Sequence, residues 1–304
     1  MASLYTQADS NTRKSWLLLA GFFVFIIALG YLFSYILQDS AILYVAVILS
    51  VIMSFGSYWW SDKIVLSTYG AKPIEEKNNP DLYHVVENLC ITAGLPVPRI
   101  YVVNEMQPNA FATGRDKNHA VVCVTQGLLD RLNKTELQGV IAHELSHIGN
   151  KDMLLTTLAA VMAGIIALLA NFFMRISFWE GGRRDSRDNN MGAILMVGGI
   201  LAAILAPIAA TLLQLAISRK REFLADEDGA LLTRYPEGLA SALEKIANDP
   251  TPMKITNDAT TSLFIESPYK GQQQTHWFTK LFMTHPPIQE RIRLLRQMDV
   301  PSQN

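Results

Sequence analysis

The chain is short of charge. Of its 304 residues only 17% are Asp, Glu, Lys or Arg, half are hydrophobic, and the mean hydropathy is +0.18. Soluble domains carry about a quarter charged residues, so the composition leans toward a membrane protein. A net charge of −1 leaves no surplus of cations for a phosphate backbone, which argues against a nucleic-acid partner. Two cysteines, Cys90 and Cys123, cannot build a disulfide framework. Residues 61–152 contain no GxGxxG, GxxxxGKS or GxSxG arrangement, so neither a phosphate-cradling loop nor a serine-nucleophile elbow is written there. Histidines number only six, which makes two of them at ligand spacing informative.

Long uncharged runs are what the chain has instead. Residues 16–37, 41–60, 153–174 and 191–218 are each free of charge, and each meets the length of about 20 residues that a helix needs to cross ~30 Å of hydrocarbon. The first run is too long, and too soon followed by a second, for a cleaved signal peptide. Arg13 and Lys14 precede the first run and Lys63 follows the second. The excess of cations on that side puts the N-terminus and residues 61–152 in the cytoplasm. The loop between the third and fourth runs fits this less well, because it carries Arg175, Arg183, Arg184 and Arg187 against Glu180, Asp185 and Asp188. The expected organisation is a transmembrane hairpin (1–60), a peptidase-like region (61–152), a second hairpin (153–218) and a closing region (219–304).

Between the hairpins the pattern is mixed. The stretch 78–98, "NNPDLYHVVENLCITAGLPVP", predicts a helix that opens near Pro80, buries Leu82, Val85, Val86 and Leu89, and stops at Gly94. "RIYVVNE" and "HAVVCVTQGLL" are rich in β-branched residues and predict strands, with "NAFATG" a further candidate between them. In "NKTELQGVIAHELSHIGNKD" the pair Thr135 and Gln138 suggests a capping box, and Leu137, Val140, Ile141, Leu145 and Ile148 form an apolar stripe. Residues 218–232 and 236–249 predict two more helices, and "THPPIQERIRLLRQM" a capped one. Residues 250–279 are polar and turn-rich, with Phe264 and Trp277 isolated among them, the composition of a surface loop or lid. The fold class expected is α+β, mainly helical, with a small sheet.

The chemistry sits in the helix at 134–149. His143 and His147 are four apart, so a helix places both imidazoles on one face, close enough to share an ion. Glu144 lies beside them in angle, where a general base would reach a water at that ion. HExxH on a helix is therefore the signature of a zinc site with its base included. Catalytic zinc takes three protein ligands and a water. No third histidine follows at short spacing; Asp152 stands five residues on. The best third ligand is Glu222 in "REFLADED", with Asp226 four residues later as the acceptor for a ligating histidine's free N–H. Arg219, Arg221 and Arg291 are alternative partners for these carboxylates. If helices run straight on, the third run starts about 9 Å from His147 and Glu222 lies roughly 6 Å past the fourth, so the two crossings bring the ligands together at a membrane surface.

Together these blocks resemble the Ste24/HtpX-type membrane zinc peptidases. The matching pieces are the two N-terminal runs, "NAFATGR" at 109–115, "VIAHELSHIGNKD" at 140–152, the apolar pair, "SRKREFLADEDGA" at 218–230 and "THPP" at 284–287. The resemblance implies a gluzincin-type domain at the bacterial inner membrane, with one Zn2+ held by His143, His147 and Glu222 and with Glu144 as general base. It implies that Asn109, Ala110, Phe111, Ala112, Thr113 and Gly114 form an edge to which a substrate peptide adds as a strand. It also puts His285 near the cleft, in position to assist catalysis. The implied partners are the lipid bilayer, unfolded or misfolded membrane proteins as substrates, and membrane quality-control proteins. The rival reading is a catalytically inert zinc-containing membrane scaffold or chaperone, for which a general base at 144 would be superfluous.

Overall fold

The computed structural model describes residues 4–180, 208, 218–254, 260, 263–266 and 286–298. Helices α1 (Leu4–Leu37) and α2 (Ala41–Thr68) form a hairpin. Within them Asp9–Tyr35 and Ala41–Thr68 are each long and apolar enough to cross a membrane. Val24, Tyr31, Tyr44, Ile48, Ile52 and Phe55 are more than half exposed, a density of bare apolar surface that lipid, not water, accommodates. Both helices overrun the uncharged segments that predicted them. α1 begins ahead of Trp16, and buried Asn11 donates to the Asn150 carbonyl at 3.1 Å. α2 continues past residue 60 and its Asp62 pairs with Arg99 at 2.5 Å. The hairpin thus reaches out to grip the domain beside it. Trp16 stacks on Tyr58 at 5.7 Å and Arg115 lies 4.6 Å over the Trp59 ring, an aromatic cluster of the kind found at membrane surfaces.

Four strands follow in the order β1-β2-β4-β3. They are β1 (Lys72–Pro73), β2 (Arg99–Val103), β3 (Ala110–Thr113) and β4 (Val121–Thr125). β2 and β4 pair in parallel from Arg99↔Val121 to Val103↔Thr125, while β3 pairs antiparallel with β4 and forms an edge. β4 is buried at all five positions, so it reads as a continuous run of β-branched residues, not as an alternation. The strand expected through "HAVVCVTQGLL" ends at Thr125, whose hydroxyl accepts from Leu128 N and starts the short helix α4 (Gln126–Arg131).

One face of the sheet (Ile100, Ala110, Ala112, Val122, Val124) packs on four helices. These are α3 (Pro80–Ala93), α5 (Lys134–Gly149), α8 (Pro236–Asn248) and α9 (Ile288–Arg296). α3 starts at Pro80 and ends at Gly94 in the left-handed conformation at φ 65°, as the sequence predicts. α5 buries its predicted stripe, but its cap differs. Asn133 accepts from Glu136 N, and the Glu136 carboxylate accepts from Asn133 N. The capping box therefore stands two residues before the Thr135–Gln138 pair, whose Thr135 hydroxyl only donates to Asn133 at 2.7 Å. Asn133 wins because its extended backbone brings Oδ1 onto the third helical N–H, whereas Thr135 already lies inside the helix. α9 has no side-chain cap at Pro287. α6 (Met153–Glu180) leaves α5 at a bend of 86°, and α7 (Arg219–Thr233) lies against α5. The expected fourth run, 191–218, falls almost wholly outside the described residues.

Candidate active site

α5 and α7 carry the site. The small residues Ala225 and Gly229 let α7 close on α5; a Cβ at Gly229 would stand 2.9 Å from the His143 backbone nitrogen. That approach brings Glu222 to the two histidines. His143 Nε2 and His147 Nε2 are 3.2 Å apart, and Glu222 oxygens lie 4.0 and 3.8 Å from them. Among the described residues these three form a set whose ligand atoms all fall within 4.8 Å of one another. Tetrahedral ligands at zinc bond lengths of ~2.0–2.2 Å stand about 3.3–3.6 Å apart, so the set fits such an ion after small adjustment.

The outer hydrogen bonds decide what these nitrogens can do. His143 Nδ1 lies 3.0 Å from Asp226 Oδ1. His147 Nδ1 lies 3.1 Å from both oxygens of Asp152. If each Nδ1 carries a proton to its carboxylate, both Nε2 lone pairs point at the same spot that Glu222 faces. Three acceptors converging on one spot repel one another unless a cation lies between them, and Arg291, with Nη2 3.4 Å from His143 Nε2, reaches only one side of that spot. The local charge agrees. With both imidazoles neutral and Glu144 ionised, as a bound dication would hold them, the buried carboxylates Glu144, Asp152, Glu222 and Asp226 and the buried guanidiniums Arg221 and Arg291 give −4 plus +2, or −2. A divalent ion balances that sum.

Titration follows the same field. Burial pushes the Glu144 carboxyl up to about 7, with Glu222 adding to the rise and His147 and Arg291 opposing it. Burial alone would lower His147, but Asp152, Glu222 and Glu144 raise it to about 10. His143 is lowered by burial, with Arg291 beside it, against the pull of Asp226. A dication at the triad would draw all three down.

Arg291 is the guanidinium that pairs with the site. It is fully buried and forks onto Asp226 at 2.8 and 2.7 Å, with Glu222 at 3.7 Å. Of the three arginines open from sequence, Arg219 is exposed and Arg221 is buried in the field of Asp152 and Glu222. Asp152 is the residue sequence reasoning missed as a partner of His147. Its signal is its place just past the end of α5, where Lys151 turns the chain at φ 55° and folds Asp152 back beneath the ring. Asn150, whose carbonyl takes Asn11, also donates to Asp228 at 2.8 Å and so ties the bend to α7.

A cavity opens over the triad, lined also by Glu144, by Ala112 of β3 and by Met153 and Thr156 of α6. Ala110, Phe111, Ala112 and Thr113 do form a sheet edge as expected, and it lies at this cavity, but all four side chains are buried. Thr113 meets Thr157 of α6 at 3.0 Å. Asn109 is buried ahead of the strand and Gly114 closes it at φ 135°. His285 lies outside the described residues. Phe264, expected to stand alone in a surface loop, is 1% exposed between Tyr69 and Phe111 at 5.1 Å from each ring.

A model of peptidase family M48 matches residues 76–299. The chain belongs to that family. Its M48 region includes α5, α7 and the sheet edge, and the relatives extend the likeness to both ends. A protease HtpX homolog of Caldanaerobacter subterraneus subsp. tengcongensis is 43% identical over 302 residues, covering 98% of this chain and 99% of that protein. One from Pyrococcus furiosus is 48% identical over 287 residues, covering 94% and 95%. Among solved structures, the crystal structure of S. mikatae Ste24p aligns with 96% of this chain and 67% of its own, at 19% identity and a TM-score of 0.48. This M48 protein is a membrane metalloprotease: the family and its relatives give the activity class, and α1 and α2 give the spans.

Proposed function

We propose that the protein is a zinc-dependent endopeptidase of a cell inner membrane, with its site at the cytoplasmic face, acting on misfolded or damaged membrane proteins. The observation that carries this is the convergence of His143 Nε2, His147 Nε2 and Glu222 on one point with Glu144 beside it in the same cavity. Zinc held there supplies a Lewis acid that acidifies water and polarises a carbonyl. The residues of the chain do the rest. Asp226 and Asp152 fix the imidazole tautomers, Arg291 holds Asp226 in place, and Glu144 takes the proton of the attacking water and passes it to the leaving amine. Burial raises this carboxyl and a bound dication would lower it again, so the two together would set the proton affinity it works at. The outward main-chain groups of Ala110 and Ala112 are those an extended peptide would pair with, a recognition that reads backbone more than side chain and suits a broad range of unfolded substrates. By the resemblance, His285 stands near this cleft.

The cytoplasmic placement rests on Arg13, Lys14 and Lys63 flanking the first two spans. The bend between α5 and α6 supports a site close to the bilayer, because the apolar helix begins directly after Asp152. A zinc scaffold without activity is disfavoured: a structural zinc closes its shell with four protein ligands, whereas three are gathered among the described residues and a carboxyl is buried at the open side. The test is the detergent-solubilised protein purified with chelator and reloaded with zinc. Hydrolysis of unfolded β-casein is expected, and Glu144→Gln should retain zinc while losing turnover. A zinc-loaded wild type without hydrolysis would return the scaffold reading.

A further inference from the structure

The Ala110 end of the edge proposed for the substrate is already taken. Asn109 O accepts from Thr125 N, so Asn109 and, by alternation, Phe111 and Thr113 face β4, while Ala110 and Ala112 direct their N–H and C=O outward. Ala110 has both outward groups engaged. Its C=O accepts from Ile265 N at 3.1 Å, and its N–H donates to the Asn109 side chain at 3.1 Å. The Asn109 carboxamide then clamps the next residue along: Nδ2 donates to Glu266 O at 2.8 Å, and Oδ1 accepts from Glu266 N at 3.3 Å. Ile265 O accepts from Arg291 Nη1 at 3.3 Å. Residues 265 and 266 thus lie as a bend beside 110 and 109, held by one main-chain hydrogen bond and the Asn109 carboxamide, and Leu263, Phe264 and Ile265 wall the cavity over the triad.

We propose that residues 263–266 are an internal mimic of the substrate, and that a peptide gains the β3 edge by replacing them. This rests on the peptidase reading above and deepens it in two ways. It names the groups that hold a peptide backbone, namely the Asn109 carboxamide, the Ala110 carbonyl and Arg291. It also makes the resting enzyme self-occupied. The strap is held at its centre by Phe264, whose ring fills the cage of Tyr69 and Phe111, and Tyr69 is held in turn by Thr260 at 2.5 Å. Short folded segments have no means of outcompeting that anchor. A long unfolded chain that can pair along the edge and fill the cage does, so the strap screens for unfolded substrates.

Because the competent form is only a fraction of the resting population, weakening the anchor raises that fraction and lowers the apparent substrate constant in proportion. Phe264→Ala removes no triad group and none of the main-chain groups of the edge. In the full-length, zinc-loaded protein it is expected to lower KM for unfolded β-casein at least fivefold with kcat changed less than twofold. Hydrogen exchange gives a second reading that needs no strap variant. In zinc-loaded Glu144→Gln, the Ile265 and Glu266 amides are protected at rest, and saturating β-casein should strip that protection. A KM that rises or stays fixed in folded Phe264→Ala, or protection of 265–266 that persists with β-casein bound, overturns the strap and leaves the peptidase reading standing. Hydrolysis by neither wild type nor Phe264→Ala removes both.

Discussion

Asp152→Asn isolates what a carboxylate behind a ligand is worth. Asp152 faces His147 Nδ1 with both oxygens at 3.1 Å and is 3% exposed. The amide keeps the volume and one acceptor but loses the charge that holds the ring in one tautomer and makes Nε2 a better donor to metal. Losing such a partner costs roughly 10- to 100-fold in metal affinity, or about 1.4–2.7 kcal/mol. The assay is zinc competition against a chromogenic chelator in detergent. Asp228→Asn is the control, since Asp228 bonds Asn150 at the same bend without touching the ring. The pH dependence adds a signature. In the metal-free protein Asp152 helps raise His147 to about 10, so zinc must displace a proton throughout the neutral range. The variant relieves that competition while weakening the intrinsic bond, and its deficit should widen as pH rises from 7 toward 10. An affinity within twofold of wild type at the alkaline end of that range, or an equal loss in Asp228→Asn, would refute the reasoning, because the bend and not the imidazole would then be what Asp152 serves.

Asn133→Ala removes the observed cap of α5 and should lower stability by about 1 kcal/mol, whereas Thr135→Ala should cost less; thermal unfolding in detergent that ranks them the other way would restore the capping box expected from sequence. Gly229→Ala puts a methyl 2.9 Å from the His143 nitrogen, so α7 must retreat from α5 at a cost of about 1–3 kcal/mol and zinc affinity should fall with stability. Asp249 is held below its ordinary value of 3.8: burial would raise it, but Thr251 and its ion pair with Arg131 outweigh that. A depressed folded value means a stabilisation present above about 3.8 and lost as pH falls through the folded value. Asp249→Asn should therefore lower the midpoint at pH 7 and match wild type at the acid end, checked by thermal melts from pH 7 to 3.

The convergence of His143, His147 and Glu222 was legible because its geometry is local. A four-residue spacing on a helix fixes the relation of His143 to His147, and the expectation that two apolar runs cross and return called for a third partner near residue 222. The small face at Ala225 and Gly229 then reports where α7 can close. Asp152 was not legible, because its role depends on Lys151 turning the chain in a left-handed conformation that nothing in "GNKD" requires. The buried place of Phe264 was hidden for a different reason. Its cage is built from Tyr69 and Phe111, far away in sequence, and a lone aromatic in a polar stretch carries no period to announce it. The capping box expected at Thr135 sits instead at Asn133, because Asn133 has the extended backbone of a cap and Thr135 already lies inside the helix.

The bend at 150–152 joins these strands of reasoning. Asn150 caps α5 and binds Asn11 of α1 and Asp228 of α7, while Asp152 turns back to His147 and α6 departs at once into apolar sequence. A shift of α1 or α6 within a bilayer would therefore reach the metal ligand through one hydrogen-bonded turn, without passing through the sheet or α3. Asn11→Ala cuts that link at its membrane end and leaves every ligand and its carboxylate partner in place. Loss of one buried hydrogen bond costs about 1 kcal/mol in stability. If the turn transmits position as well, the variant's zinc affinity should become sensitive to the detergent chain length that wild type tolerates. Equal insensitivity in both would confine Asn11 to a purely structural role.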